Sequence, residues 1–307
     1  MKLFKNRGDI YIPKSVTGKN KQAKILYILL IFVVLFTIVF VALVGHKYPS
    51  AASFFGEGEV TVSQKAVPED EKFPKISGKK NFLVIETDDS NSYIHYMFLL
   101  QADKDNLAYK ACALAPNMLL GEQKVSDIYS LGGGAALESA LSEYLGINID
   151  YYTQFETASF VEFANKLGSF IYNSDDKIRY SGGKDDDKYT IHLDEGEQKI
   201  KGRDITNLLR YYSSEKENYE AENELILRAV SQLMNEENLE KSEQLFRLLV
   251  SSSVTDITVR DFEKGKDSIT VYCKKNSDVT LYSALAKYEN GNLTQQSLQE
   301  IKGYFTS

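Results

Sequence analysis

A layered α/β domain with a central mixed sheet, preceded by one transmembrane helix, is the architecture this sequence predicts. Three observations carry that reading. Residues 144–168 pass from helix to strand to helix within one short stretch. Short apolar runs at 81–86, 96–100 and 107–114 have the length of buried strands. Residues 25–44, ILYILLIFVVLFTIVFVALV, hold no charge.

The stretch 144–168 anchors the domain. Ala136, Ala140, Leu141, Tyr144 and Leu145 recur at helical spacing, and Gly146 stops the helix. Asp150 to Phe155 reads as an aromatic-rich inner strand. Phe160, Val161, Ala164 and Leu167 then form one stripe of a second helix, with Gly168 just past its end.

In chain order, residues 1–24 form a basic tail with seven Lys and Arg and one acid, Asp9. The apolar run 25–44 spans roughly 30 Å as a helix, the thickness of a hydrocarbon core. Ser50-Ala51-Ala52-Ser53 offers a cleavable signal peptide as the rival. Signal-peptide cores are only about 7–15 residues long, so length favours an uncleaved anchor. The positive-inside rule places the N-terminus in the cytoplasm and the rest outside, at the cell membrane. Residues 45–79 are a linker, and 80–307 the extracytoplasmic domain.

Within that domain, the first strand ends in the acceptor-rich loop Thr87-Asp88-Asp89-Ser90-Asn91. Asp103 to Asn106 turns a hairpin between the next two strands. Gly132-Gly133-Gly134 reads as a flexible loop before a helix at 135–145, since neither a leading strand nor a following Lys-Ser/Thr makes it a P-loop. A strand is expected at 169–172. Residues 174–187, with Asp175, Asp176, Asp185, Asp186 and Asp187, read as a solvated loop without EF-hand spacing. An edge strand at 189–193 and a short helix carrying Ile205, Leu208, Leu209 and Tyr212 follow. A long helix from 219 to 250, broken near Asn235, a strand at 268–272 and an amphipathic turn at 298–305 complete the reading.

Composition narrows the function. The chain has 20 Tyr and 16 Phe but no Trp, and a net charge of −7. Because the tail is basic, the rest of the chain is more acidic still, which argues against a nucleic-acid partner. Cys112 and Cys273 lie in strand-like runs, as two buried free thiols or one disulfide. His46, His95 and His192 are the histidines, with His95 and His192 read as packed or surface residues. No nucleophile elbow, metalloprotease helix or dinucleotide fingerprint occurs.

Several stretches, in order, resemble the LytR-CpsA-Psr family of membrane-anchored envelope proteins. Leu83-Val-Ile-Glu-Thr-Asp88 resembles its strand ending in G-T-D, and Ala113-Leu-Ala-Pro116 its S-I-P-R-D. Lys124-Val125 and Gly132-Gly133 resemble K-I-N…G-G, while LGI-x-IDYY leads into a Phe-rich helix ending in LG. Leu193 to Gln198, Gly202-Arg203 and Leu209-Arg210-Tyr211 resemble L-x-x-G-x-Q-x-L-x-G-x-x-A-L-x-Y-x-R. The resemblance implies transfer of glycopolymers from polyprenyl pyrophosphate carriers to the cell wall, with Mg²⁺ and several arginines at the site. Carried over by position, it assigns Asp88 to metal and catalysis and Arg210 to the pyrophosphate, both facing one pocket.

Departures accompany the likeness. Asn117 and Met118 stand for the family's Arg and Asp, His95 falls near its second Asp, and Tyr212 takes its second late Arg. Lys216 to Glu224, with Asn218, Glu220 and Glu222, lacks the Arg of its G-D-x-x-R…R-Q run. Losing an electrostatic donor typically costs roughly 10²–10³ in rate. Two expectations follow: a degenerate relative that binds a polyprenyl-linked glycopolymer or a wall-assembly protein, or an active phosphotransferase using Asp88, Mg²⁺ and Arg210.

Overall fold

The computed structural model describes residues 73–91, 93–183 and 187–306, all within the compact unit Lys72–Ser307. Strands β1 (Lys79–Thr87), β2 (Ile94–Asp103) and β3 (Ala108–Leu114) open it, and the short ladder β4 (Leu119–Leu120) with β5 (Gln123–Lys124) leads into helix α1 (Val125–Leu145). Next come β6 (Tyr151–Glu156), α2 (Thr157–Leu167), β7 (Phe170–Ser174), β8 (Ile178–Gly182), β9 (Tyr189–Leu193) and β10 (Gly196–Ile200). Helix α3 (Arg203–Arg210) runs into a π-helical turn, Tyr211–Glu215. Then follow α4 (Tyr219–Leu233), α5 (Glu236–Glu240), α6 (Ser242–Ser252), β11 (Val254–Thr255), α7 (Val259–Lys274) and β12 (Thr280–Ser283). The ladder of β13 (Tyr288–Glu289) with β14 (Asn292–Leu293), and α8 (Gln295–Thr306), end it.

The central sheet is mixed, in the order β11-β6-β1-β2-β3-β12. Its β1–β2, β2–β3 and β6–β11 pairs are antiparallel, while β1–β6 and β3–β12 are parallel. Strand alternation sorts the side chains into two cores. Leu83, Ile85, Met97 and Leu99 pack with Leu137, Leu141 and Leu145 of α1 and with Ile301 and Phe305 of α8. Tyr96 and Phe98 point the other way, to Leu208 and Leu209 of α3 and Leu225 and Ile226 of α4. Helices therefore cover both faces, and each fully buried leucine contributes about 1.5–3 kcal/mol. The last helix also stitches the first three strands. Phe305 O accepts from Asn81 Nδ2 at 3.3 Å and Gln101 Nε2 at 2.9 Å, and Tyr304 O from Lys110 Nζ at 2.9 Å.

The helix–strand–helix reading of 144–168 holds. Gly146 sits in the left-handed region at φ 61°, where a β-carbon would be strained, and closes α1. Strand β6 lies between β11 and β1, inside the sheet. The break near Asn235 is present, and Asn235 caps α5 by accepting from Asn238 N. A further break at Lys241 separates α5 from α6.

Four local expectations are corrected. Residues 268–272 are the end of α7, not a strand. The β-branched run Ile269-Thr270-Val271 suggested extension, but Thr258 and Asp261 form a capping box that launches a helix through it. Cys273 is thus helical and Cys112 is in β3, both buried free thiols. The triple glycine is not a loop before a helix. Helical structure already begins at Val125, and Gly132 and Gly133 only kink it, Gly133 at φ 62°. Residues 174–187 are not simply a solvated loop, since β8 forms there and pairs with β9. The turn at 298–305 is a full helix, α8.

Among the described residues no helix is long and apolar enough to cross a membrane. The expected spanning segment 25–44, the basic tail and most of the linker lie outside the described residues.

Candidate functional site

A cavity of about 510 Å³ opens where the C-terminal end of β3 meets α1 and the π-helical turn. Pro116 and Asn117 follow β3. Lys124, Ser126 and Tyr129 come from the start of α1, and Ser213, Ser214 and Glu217 from the π turn and its exit. Tyr93 and Ile94, leading into β2, complete the wall. The π turn sets the geometry: Lys216 N bonds Tyr211 O at 2.9 Å, widening the helix, and Ser214 Oγ donates to His95 O at 2.9 Å. Such widened turns are rare and frequent at functional sites.

Asp88 directly follows the last residue of β1 and is 7% exposed. Its carboxylate organises its own loop. Oδ1 accepts from Tyr93 N at 2.9 Å, and Oδ2 from Ser90 N at 3.3 Å and from the Ser90 hydroxyl. Arg210, at the end of α3 and 5% exposed, makes its ion pair with Asp187: Nη2 lies 2.6 Å from Oδ2. Its guanidinium also rests 4.4 Å over the Tyr189 ring. The structure thus brings Asp88 and Arg210 to opposite ends of Tyr93, whose backbone bonds the first and whose hydroxyl shares Asp187 with the second. Neither lines the cavity, although Tyr93 does.

The buried charges around Arg210 carried no signal in the sequence. Glu86 is fully buried; its Oε1 accepts from the Thr157 hydroxyl and faces His95 Nδ1 at 3.2 Å, while Oε2 accepts from Thr206 Oγ1 at 2.7 Å. His95 Nε2 reaches Asp187 Oδ2 at 2.8 Å. His95 is therefore packed, as its strand position suggested, but packed between two carboxylates. Burial pushes the Asp187 carboxyl up, yet the Tyr93 hydroxyl, His95 and Arg210 together outweigh burial and hold it below the usual range. Only knowledge that α3 and the 187 segment meet over β2 could have assembled this chain of groups.

A second buried acid lies behind the cavity. Glu222 on α4 is fully buried, and neither carboxyl oxygen has a hydrogen-bond partner among the described residues. Burial raises its pKa well above the ordinary range. The Ser213 hydroxyl beside it acts the other way, but more weakly and without ideal hydrogen-bond geometry.

Magnesium needs several hard oxygen ligands converging on one point. Here both Asp88 oxygens accept from the Asp88 loop itself, and no three His, Cys, Asp or Glu side chains converge among the described residues.

The profile of the LytR_cpsA_psr family matches residues 116–305, a span that includes Arg210 but not Asp88. No curated protein matches the chain. Several solved structures share the fold. A Eubacterium siraeum protein described as a transcription regulator is 17% identical with a TM-score of 0.65, over 81% of this chain and 98% of that one. TagV of B. subtilis is 13% identical with a TM-score of 0.56, over 75% and 96%. TagT bound to LI-WTA is 14% identical with a TM-score of 0.55, over 77% and 92%.

Proposed function

As the chain belongs to the LytR_cpsA_psr family, we propose that it is a membrane-anchored envelope protein that binds a polyprenyl-linked glycopolymer without magnesium-dependent transfer. The observation that carries this reading is the commitment of its two family-matched charges: Asp88 to its own loop and Arg210 to Asp187. A phosphotransferase site needs such groups aimed at the transferring phosphoryl oxygens. The cavity beside them supports binding. It offers hydroxyls from Ser126, Tyr129 and Ser214, one ammonium from Lys124 and the apolar flank of Ile94 and Pro116. TagT, similar in fold, is bound to LI-WTA and LIIa-WTA in two structures, and the proposal extends a ligand of that kind to this chain.

Calorimetry of the full chain in detergent with a short-chain polyprenyl pyrophosphate tests the reading. Binding is expected to be the same in Mg²⁺ and in EDTA and to survive Asp88→Asn. Binding that requires Mg²⁺ and vanishes in both Asp88→Asn and Arg210→Ala restores the active phosphotransferase. No binding at all removes the proposal.

The proposed placement is N-terminus in, domain out, on the apolar run 25–44. Protease added to intact protoplasts is expected to digest a C-terminal epitope. A protected epitope, or a mature N-terminus near Ser53, contradicts the anchor.

A further inference from the structure

Three donors from separate parts of the fold meet on one oxygen atom. Asp187 Oδ2 accepts from Arg210 Nη2 at 2.6 Å, from His95 Nε2 at 2.8 Å and from the Tyr93 hydroxyl. Arg210 Nη2 also donates to the Asp187 carbonyl at 3.2 Å. Tyr93 leads into β2, His95 lies in it, and Arg210 closes α3. None of the three is adjacent to Asp187 in sequence. Arg210 and His95 are at most 5% exposed. Tyr189 beneath the guanidinium and Tyr93 edge-on to the imidazole at 4.9 Å fix the two rings and the fork.

A surface ion pair does not have this form. Isolated exposed pairs contribute at most about 1 kcal/mol and rarely recruit a third donor. A guanidinium, an imidazole and a phenol aimed at one point, with their positions fixed by packing, are the donor set of an oxyanion site. The acceptor is a carboxylate oxygen, which stands in for a non-bridging oxygen of a phosphate. Tyr93 also lines the 510 Å³ cavity, so the point of convergence adjoins the space proposed for the ligand.

We infer that Tyr93, His95 and Arg210 form an oxyanion site which this chain fills with its own Asp187, so that a phosphate-bearing ligand binds there only by displacing that carboxylate. The inference rests on the reading that this face takes a phosphate-linked ligand, and it adds a competitor within the chain. A tethered group competes at an effective concentration on the order of millimolar or more. External phosphates of moderate affinity are therefore excluded at ordinary concentrations.

The test is titration of the full chain in detergent with inorganic pyrophosphate and, separately, with a short-chain polyprenyl phosphate. The variants are Asp187→Asn, Asp187→Ala, each of these combined with Arg210→Ala, and Asp175→Asn as a control that removes an exposed charge elsewhere. Circular dichroism confirms folding, and the near-isosteric Asp187→Asn serves where alanine does not fold. Expected is an affinity gain of at least tenfold in the Asp187 variants, abolished by Arg210→Ala and absent in Asp175→Asn. A gain with pyrophosphate shows that the head group suffices. A gain with the lipid phosphate alone shows the same site with a lipid requirement. Equal binding by wild type and Asp187 variants, a gain that survives Arg210→Ala, or an equal gain in Asp175→Asn overturns the inference. Those results leave polyprenyl pyrophosphate binding by the wild type, and hence the proposed function, untouched.

Discussion

Glutamine in place of Glu222 is expected to flatten the fall of stability as pH rises above the ordinary carboxyl range. In the unfolded chain the carboxyl ionises near its ordinary value of 4.5, whereas the buried one keeps its proton to well above that. Above pH 4.5 the folded state thus binds more protons than the unfolded state. The associated stability is complete below that value and is lost as pH rises toward the folded-state pKa, at about 1.4 kcal/mol per pH unit. Glutamine has nearly the shape of the protonated acid and cannot ionise, so it carries no such pH-dependent loss. Urea unfolding of both proteins at pH 5 and pH 7.5 measures it. Parallel pH dependence in the two would mean that Glu222 is ionised and stabilised in a way the structure does not contain.

Asn223→Ala is expected to destabilise the domain by about 3–5 kcal/mol. This side chain is fully buried on α4 and bonded at every polar atom. Oδ1 accepts from Ala113 N at 2.6 Å, and Nδ2 donates to Ser283 Oγ at 3.0 Å and Ala284 O at 2.9 Å. Alanine leaves a buried amide and a buried carbonyl without partners, and each such group costs about 1–3 kcal/mol. The amide of Ala113 should also lose hydrogen-exchange protection. A change below about 1 kcal/mol would show that water enters and replaces the side chain.

How much of this was legible in the sequence differs between fold and site. Leu83 and Ile85, Met97 and Leu99, and the α1 leucines announced themselves by period, and Gly146 by its position after them. Period failed where capping decided. Ile269-Thr270-Val271 reads as strand until Thr258 and Asp261 are recognised as a helix start some ten residues upstream. It failed again at Ile178–Gly182, where a short polar strand is held by its partner β9 rather than by its own pattern. The site was less legible. The family likeness put Asp88 and Arg210 in the same region but could not say what each bonds. That depends on Asp187, one of five aspartates in a segment that reads as solvent-facing, and on Glu86 and His95, which two strands bring face to face. Charge partners across elements leave no periodic trace.

The contacts of α8 bear on how the domain comes into being. Asn81, Gln101 and Lys110 each donate to the carbonyl of Tyr304 or Phe305, and β3 gains its parallel neighbour only from residues 280–283. The sheet formed first during synthesis therefore keeps an open β3 edge until residues 280–283 are made, and lacks its bonds to α8 until residues 295–306 follow. Pairings of such long sequence separation slow folding and prolong the exposure of strand edges. A chain truncated before residue 280 would keep most of its helices and an unfinished, aggregation-prone sheet, so residues 280–306 act as the checkpoint for the whole domain.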